Sequence, residues 1–358
     1  MHAQERYLAI YDDSSRLKLD KVPKFVQYVR DEFITKNQAE FARNSFNNPI
    51  NNNYFKVPFH LGFDAVFAPF PLSVKVKSIK IKKENGSTIR IGEDGQAKRK
   101  ETAYYEGGFI HSLEIIDKLR SNMNIIDRSQ QILKIIRIYE RMGKNIFPIL
   151  MIDGIFDRIW KSMGMDTFSR NFRKKTKLYQ ELIKFYAEIL RINIEGLINA
   201  SGNRGRVLNI LDDVAFKGRS IISPERWSQD FSPIYREITA IVKDGGLIPQ
   251  IHSDGDVTEL IPSIIKAGFK GLQGWEGGCN PYYINDHFPN FVVIGFGDVS
   301  HVLPYGNDNQ IIQHVKDLMK ALKENHHFII GPSTVVHEKI PFKNIKLFIS
   351  SAEKFGKY

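Results

Sequence analysis

His252, Asp254 and Asp256 occupy alternate positions, directly after the apolar run 247–251 and directly before a helical pattern. Alternation at the end of a strand turns His252 and Asp254 to one face, where an imidazole and a carboxylate can share a metal ion or a proton. Asp256 stands three residues ahead of Glu259 and reads as a helix cap, as in a capping box. The same pattern of a short apolar run with an acid or imidazole after it recurs along the chain. Asp153 follows 146–152, Asp212 and Asp213 follow 207–211, Glu276 follows 271–273, Asp298 follows 291–294, and His337 lies in a loop beyond 328–330. Asp64 opens a further run at 64–69. The Asp212–Asp213 pair has a plain alternative role in capping its loop or holding Arg219, and His326 and His327 precede a strand and read as structural.

The elements that must position these groups are strands alternating with helices. Besides the runs above, apolar residues at three-to-four spacing predict helices near 127–143, 177–199, 224–244, 257–267, 308–324 and 342–355. Repeated strand–helix units imply parallel pairing with right-handed crossovers. The expected architecture is therefore α/β, a single (β/α)8 TIM barrel over residues 1–358, with an open doubly wound sheet as the alternative. From 72 to 105 the rhythm changes to alternating apolar and charged residues, with turn signals at Glu84-Asn85-Gly86 and Glu93-Asp94-Gly95. That segment predicts an antiparallel β-hairpin insertion within the barrel domain. In such a barrel the loops at the C-terminal ends of the strands converge on one pocket, so several of these acids and imidazoles are expected to meet there.

Composition narrows the class. The chain has 358 residues, 42% of them hydrophobic and 25% charged, as in an ordinary globular protein. No apolar run reaches the roughly 18 residues of a membrane span, and the residues after Met1 lack an apolar signal core, so no membrane and a cytoplasmic location are expected. Cys279 is the only cysteine, which excludes an intrachain disulfide and a cysteine-based zinc cluster. The net charge of +11 raises the question of nucleic acid, but the densest basic segments, 75–83 and 170–177, sit in no nucleic-acid motif. They read as solvated faces or as attraction for an anionic substrate, and no nucleic-acid partner is expected.

Several segments together resemble a known family. The run from Asp212 and Asp213 through Gly218 to Ser223, Pro224 and Glu225 resembles the "DD…G…SPE" segment of the uroporphyrinogen decarboxylase superfamily, which also holds corrinoid-dependent methyltransferases. His252, Ser253, Asp254 and Gly255 resemble its "H-S/x-C/D-G" strand end, Gly297 and Asp298 its "G-x-D" strand end, and His337 with Ile340, Pro341 and Asn344 its closing "H-x-I-P…N" segment. Arg6 to Ile10 and Asp20 to Pro23 resemble its opening "R-x-L-A…D-R-V-P", and Trp275 to Cys279 its "P-L-E-x…G-M-D" loop, which makes Glu276 a further candidate. The resemblance spans nearly the whole chain and implies a (β/α)8 barrel.

It also frames the activity. True decarboxylases of the family carry an early "R-Q-A-G-R-Y" segment whose arginines hold substrate carboxylates, and the corresponding residues 24–30 lack it. Members resembling thiol-directed methyltransferases bind zinc through a His-x-Cys pair and a later Cys. Here His252 matches the first ligand, Asp254 replaces the second, and His337 lies near the third, with Glu276 or Cys279 in reserve. Such an oxygen-rich set keeps zinc as the first candidate while other divalent ions compete. The resemblance thus implies a methyltransferase-like enzyme with His252, Asp254, Glu276 and His337 as catalytic residues. Asp64, Asp153, Asp212, Asp213 and Asp298 are then expected to bind substrate or cofactor. A corrinoid would serve as substrate or ride on a partner protein, with the lysine-bearing insertion at 72–105 as its contact. The alternatives are decarboxylation of an acidic tetrapyrrole, using Asp64, Arg30 and His337, and a corrinoid- or tetrapyrrole-binding carrier. The sequence leaves the oligomeric state open.

Overall fold

The computed structural model describes residues 1–42, 53–82, 88–92, 95–98, 105–275 and 278–358. Eight parallel strands form one sheet in chain order: β1 (Phe25–Val26), β2 (Ala65–Ala68), β3 (Phe147–Asp153), β4 (Val207–Leu211), β5 (Ile248–Ser253), β6 (Gly271–Gly274), β7 (Val292–Gly297) and β8 (Phe328–Pro332). Lys24 bridges Ile330 in parallel, and the Ile330 N–H donates to the Pro23 carbonyl at 3.0 Å, so β8 returns to β1 and the sheet becomes a barrel. The strands read as near-continuous apolar runs because both faces are covered. One core fills the interior, with Phe25, Phe67, Phe147 and Ile294 buried in it, and a larger one lies between the strands and the surrounding helices.

The connecting helices are α1 (Asn53–Leu61), α2 (Ser129–Met142), α3 (Lys177–Ser201), α4 (Ser232–Asp244), α5 (Ile261–Lys266), α6 (Pro281–His287) and α7 (Asp308–Leu322), and α8 (Phe342–Phe355) follows β8. The stretch read from sequence as one helix over 224–244 is two, Pro224–Asp230 and α4, meeting at Phe231. Pro233 is the reason: without an N–H it fits only the first turn of a new helix. The capping box read at Asp256 and Glu259 does not form. Asp256 Oδ1 instead accepts from the Thr258 N–H at 3.1 Å and the Thr258 hydroxyl at 2.6 Å, opening a 3-10 turn, Thr258–Leu260, ahead of α5.

Antiparallel pairs lie where alternation placed an insertion. Ile79–Lys82 pairs with Thr88–Ile91, and Gln96–Lys98 with Tyr105–Gly108. Val74–Val76 pairs further away with Met123–Ile125, so this strand is not part of a local hairpin. The turn at Glu84-Asn85-Gly86 and residues Glu93 and Asp94 lie outside the described residues.

The N-terminal face of the barrel is clasped by charge. Asp64 is buried and accepts from Arg6 Nη1 at 2.9 Å and from the Lys24 N–H at 2.8 Å, with Lys24 Nζ 3.1 Å away. Arg6 Nε reaches Asp20 at 2.8 Å, while Lys24 and Lys21 both pair with Glu353 of α8. β2 begins only at Ala65, so Asp64, expected from sequence among the substrate-binding groups, sits at the end of the barrel opposite the strand C-termini. No helix among the described residues is long and apolar enough to cross a membrane.

Candidate functional site

Strand pairing decides which polar residues meet. Leu211 of β4 lies opposite His252 of β5, and His252 lies opposite Gln273 of β6. Two residues beyond Leu211 and His252, alternation brings Asp213 and Asp254 to the same face. His252 Nε2 lies 3.5 Å from Asp213 Oδ1 and 3.6 Å from Asp254 Oδ1, and the Asp254 N–H donates to Asp213 Oδ1 at 3.1 Å. One donor atom from each of the three residues falls within 4.8 Å of the others.

The other face of the imidazole fixes a hydrogen on Nδ1. Gln273 Nε2 donates to the Ser333 carbonyl at 2.8 Å, which leaves Gln273 Oε1 to accept, and His252 Nδ1 lies 2.5 Å from it. A neutral His252 therefore carries its hydrogen on Nδ1 and turns the Nε2 lone pair toward the two carboxylates. Phe67 packs edge-on against the ring with centroids 6.4 Å apart, and His252 is only 4% exposed. With Nε2 unprotonated, its lone pair and the two carboxylate oxygens repel one another unless a cation joins them. One imidazole nitrogen and two carboxylate oxygens are a donor set for a divalent ion such as zinc or manganese.

The triad opens into a cavity of about 780 Å³ at the C-terminal ends of the strands. Asp153, at the end of β3, and His337, beyond β8, line it too. His337 is not drawn to His252: its Nδ1 accepts the Lys339 N–H at 3.2 Å, and its Nε2 lies 3.0 Å from the Val299 carbonyl. The structure thus groups His252 and Asp254 with Asp213, in place of the His337 expected from sequence.

Asp212 points the other way. It is fully buried, accepts from the Asp157 N–H at 2.8 Å and from the Tyr235 hydroxyl, and so ties β4 to α4 and to the helix Phe156–Met163. Burial pushes its carboxyl up to about 6 despite these donors. Expected from sequence among the substrate-binding groups, Asp212 is not on the lining of the cavity and supports the elements around it. Gly154 makes this approach feasible, because a Cβ there would lie 2.6 Å from the Asp212 Cβ. Asp298 holds a turn, with Oδ1 accepting from the Ser300 and His301 N–H groups, both at 2.8 Å, ahead of the helix Val302–Tyr305. Cys279 lies with Asp298 on a smaller cavity of about 190 Å³. Burial, then Asp256, pushes its thiol up to about 12, which makes it a poor metal ligand. Glu276 lies outside the described residues.

Two charged groups on the cavity came as new from the structure. Asp157 and Lys161 sit four residues apart on the helix Phe156–Met163, with Lys161 Nζ 2.6 Å from Asp157 Oδ2 and 3.8 Å from Asp213 Oδ2. Burial, then the charge of Asp213, raises the Asp157 carboxyl well above the usual range, while Lys161 holds its proton more tightly because Asp157 outweighs its burial. No strand end announces this pair; the only sequence signal was the i,i+4 spacing.

A model of the family described as uroporphyrinogen decarboxylase (URO-D) matches residues 60–355. This chain belongs to that family. Among solved structures, a methyltransferase from Methanosarcina mazei is similar over 99% of both chains, with 17% identity and a TM-score of 0.65, and so shares the fold. A GH20 catalytic module of the pneumococcal exo-β-D-N-acetylglucosaminidase covers 95% of this chain and 87% of its own at 11% identity and a TM-score of 0.43. A sugar phosphate isomerase/epimerase from Parabacteroides distasonis covers 94% and 96% at 10% identity and a TM-score of 0.37. No curated protein sequence matches the chain.

Proposed function

We propose that this chain is a methyltransferase-like enzyme that moves a methyl group between a small substrate or thiol and a corrinoid, with a divalent ion held by Asp213, His252 and Asp254. The observation that carries the reading is the His252 Nε2 lone pair facing the Asp213 and Asp254 oxygens at 3.5 and 3.6 Å beside a large cavity. A divalent ion bound there would supply Lewis acidity, favouring the deprotonated form of a thiol or hydroxyl acceptor. Gln273 orients the imidazole, Lys161 balances the charge of Asp213, and Leu211, Val299 and Pro304 give the cavity its apolar wall. A corrinoid, free or on a partner protein, would approach over the strand C-termini.

The decarboxylase reading draws less support. Arg30 and His337 line the cavity, but Asp64, its acid, sits at the opposite face of the barrel. The carrier reading leaves the converging triad without a purpose.

The test is elemental analysis of the purified protein and of His252→Ala, Asp213→Asn and Asp254→Asn, beside a demethylation assay with methylcobalamin and a panel of thiols. About one divalent ion per chain, lost in all three variants together with the activity, is the expected outcome. A protein that takes up no zinc or manganese on supplementation and leaves methylcobalamin intact would sink the proposal. Loss of carbon dioxide from a tetrapyrrole acid would favour the decarboxylase.

A further inference from the structure

The N-terminal face of the barrel holds a second cavity, of about 390 Å³, bordered by the start of β5 and the start of β7. Three separate chain segments bring cations to it: Arg16 from the turn beyond the N-terminal helix Ala3–Ala9, Lys243 from the last turn of α4, and Lys270 just ahead of β6. Among the described residues Asp13 is the one carboxylate on its lining, and Arg16 Nη1 pairs with it at 2.8 Å. The same Nη1 lies 2.6 Å from His327 Nε2, which must accept, so the imidazole is neutral and the guanidinium is held in place. Lys243 and Lys270 pair with no carboxylate among the described residues.

Two positive charges are therefore left uncompensated on a concave surface. Burial and then Lys270 hold the Lys243 ammonium below the ordinary lysine value. Ile10, Leu247 and Val292 give the same cavity an apolar wall. Its volume is at the small end of the roughly 300–1,000 Å³ typical of small-molecule sites.

We infer that this cavity is a second binding site, for a small dianion with an apolar body, of the phosphomonoester class, held between Lys243 and Lys270. A dianion balances the two free ammonium groups, and the apolar wall takes up the ester group. The inference is independent of the triad at the opposite end of the barrel.

Isothermal titration of the protein with phenyl phosphate and with inorganic phosphate tests it. Phenyl phosphate should bind saturably and at least about tenfold more tightly than inorganic phosphate, because its phenyl group leaves water for the apolar wall. Lys243→Ala/Lys270→Ala should weaken phenyl phosphate by at least about tenfold, and Lys339→Ala, on the other cavity, should leave it unchanged. The double variant without ligand should be as stable as the parent or more so, since like charges have been removed, which separates lost binding from lost fold. Lys270→Gln alone should show an intermediate loss. Equal binding of the two phosphates, undiminished binding by the double variant, or loss of binding in Lys339→Ala would each overturn the assignment.

Discussion

The position of one hydrogen decides the chemistry of His252. Because Gln273 must donate to Ser333, its remaining oxygen claims the imidazole hydrogen on Nδ1, and in the neutral ring Nε2 is left to accept. Gln273→Leu should therefore weaken divalent-ion binding about 10–100-fold while leaving all three ligands in place, as is usual when a ligand histidine loses its orienting partner. Competition against a chromophoric chelator reads this directly, and unchanged affinity would contradict the orientation argument. Asp212→Ala should cost roughly 2–4 kcal/mol in urea unfolding, because the Tyr235 hydroxyl and the Asp157 N–H lose their acceptor in a dry environment. Sequence alone placed His252 and Asp254 on one face, yet it could not separate Asp213 from Asp212. The separation rests on β4 continuing its alternation through Asn209, Leu211 and Asp213, which becomes visible once Leu211 is known to oppose His252. Asp64 misled because its run was taken to begin one residue early, and that residue belongs to the N-terminal face.

At the scale of elements, seven of the eight barrel strands were legible as apolar runs, whereas β1 has only the two residues Phe25 and Val26, too few to show a pattern. Helix α6 was missed for a similar reason: at seven residues it shows less than two full turns of periodicity. The supporting helix Phe156–Met163 also escaped notice, and with it Asp157 and Lys161, because it follows β3 through a turn at Gly154. A side chain at that turn has no room. Gly154→Ala should press on the Asp212 side chain and on the Leu211 carbonyl 2.9 Å away, displacing the loop that carries Asp213. The expected result is a loss of roughly 1–3 kcal/mol in stability together with weaker ion binding, and a variant with parental values for both would refute it. Two neighbouring strand ends carry strain of their own: Trp275 and Phe296 have φ of 71° and 68°, and their rings stack with centroids 5.4 Å apart. Packing of the pair holds conformations that bulky residues otherwise avoid.

For the molecule as a whole, the charged clasp of the N-terminal face sets the response to acid. The hydrogen bond from Arg6 holds the Asp20 carboxyl at about 2. Burial opposes ionisation of Glu353, but Lys21 and Lys24 outweigh it and hold that carboxyl at about 2 as well. Both groups are depressed below their unfolded values of 3.8 and 4.5, so their stabilisation is complete above about pH 4.5 and is lost as the pH falls toward 2. Asp20→Asn/Glu353→Gln should flatten the acid limb of a stability–pH curve in that window, and an unchanged limb would show that other carboxylates govern it. The clasp has one more consequence, in the order of assembly. Lys24 meets Ile330 across some three hundred residues, and Glu353 of α8 seals the contact. During synthesis β1 has its second neighbour only once residue 330 has emerged, so closing this seam is the pairing of longest sequence separation in the barrel and is expected to be slow.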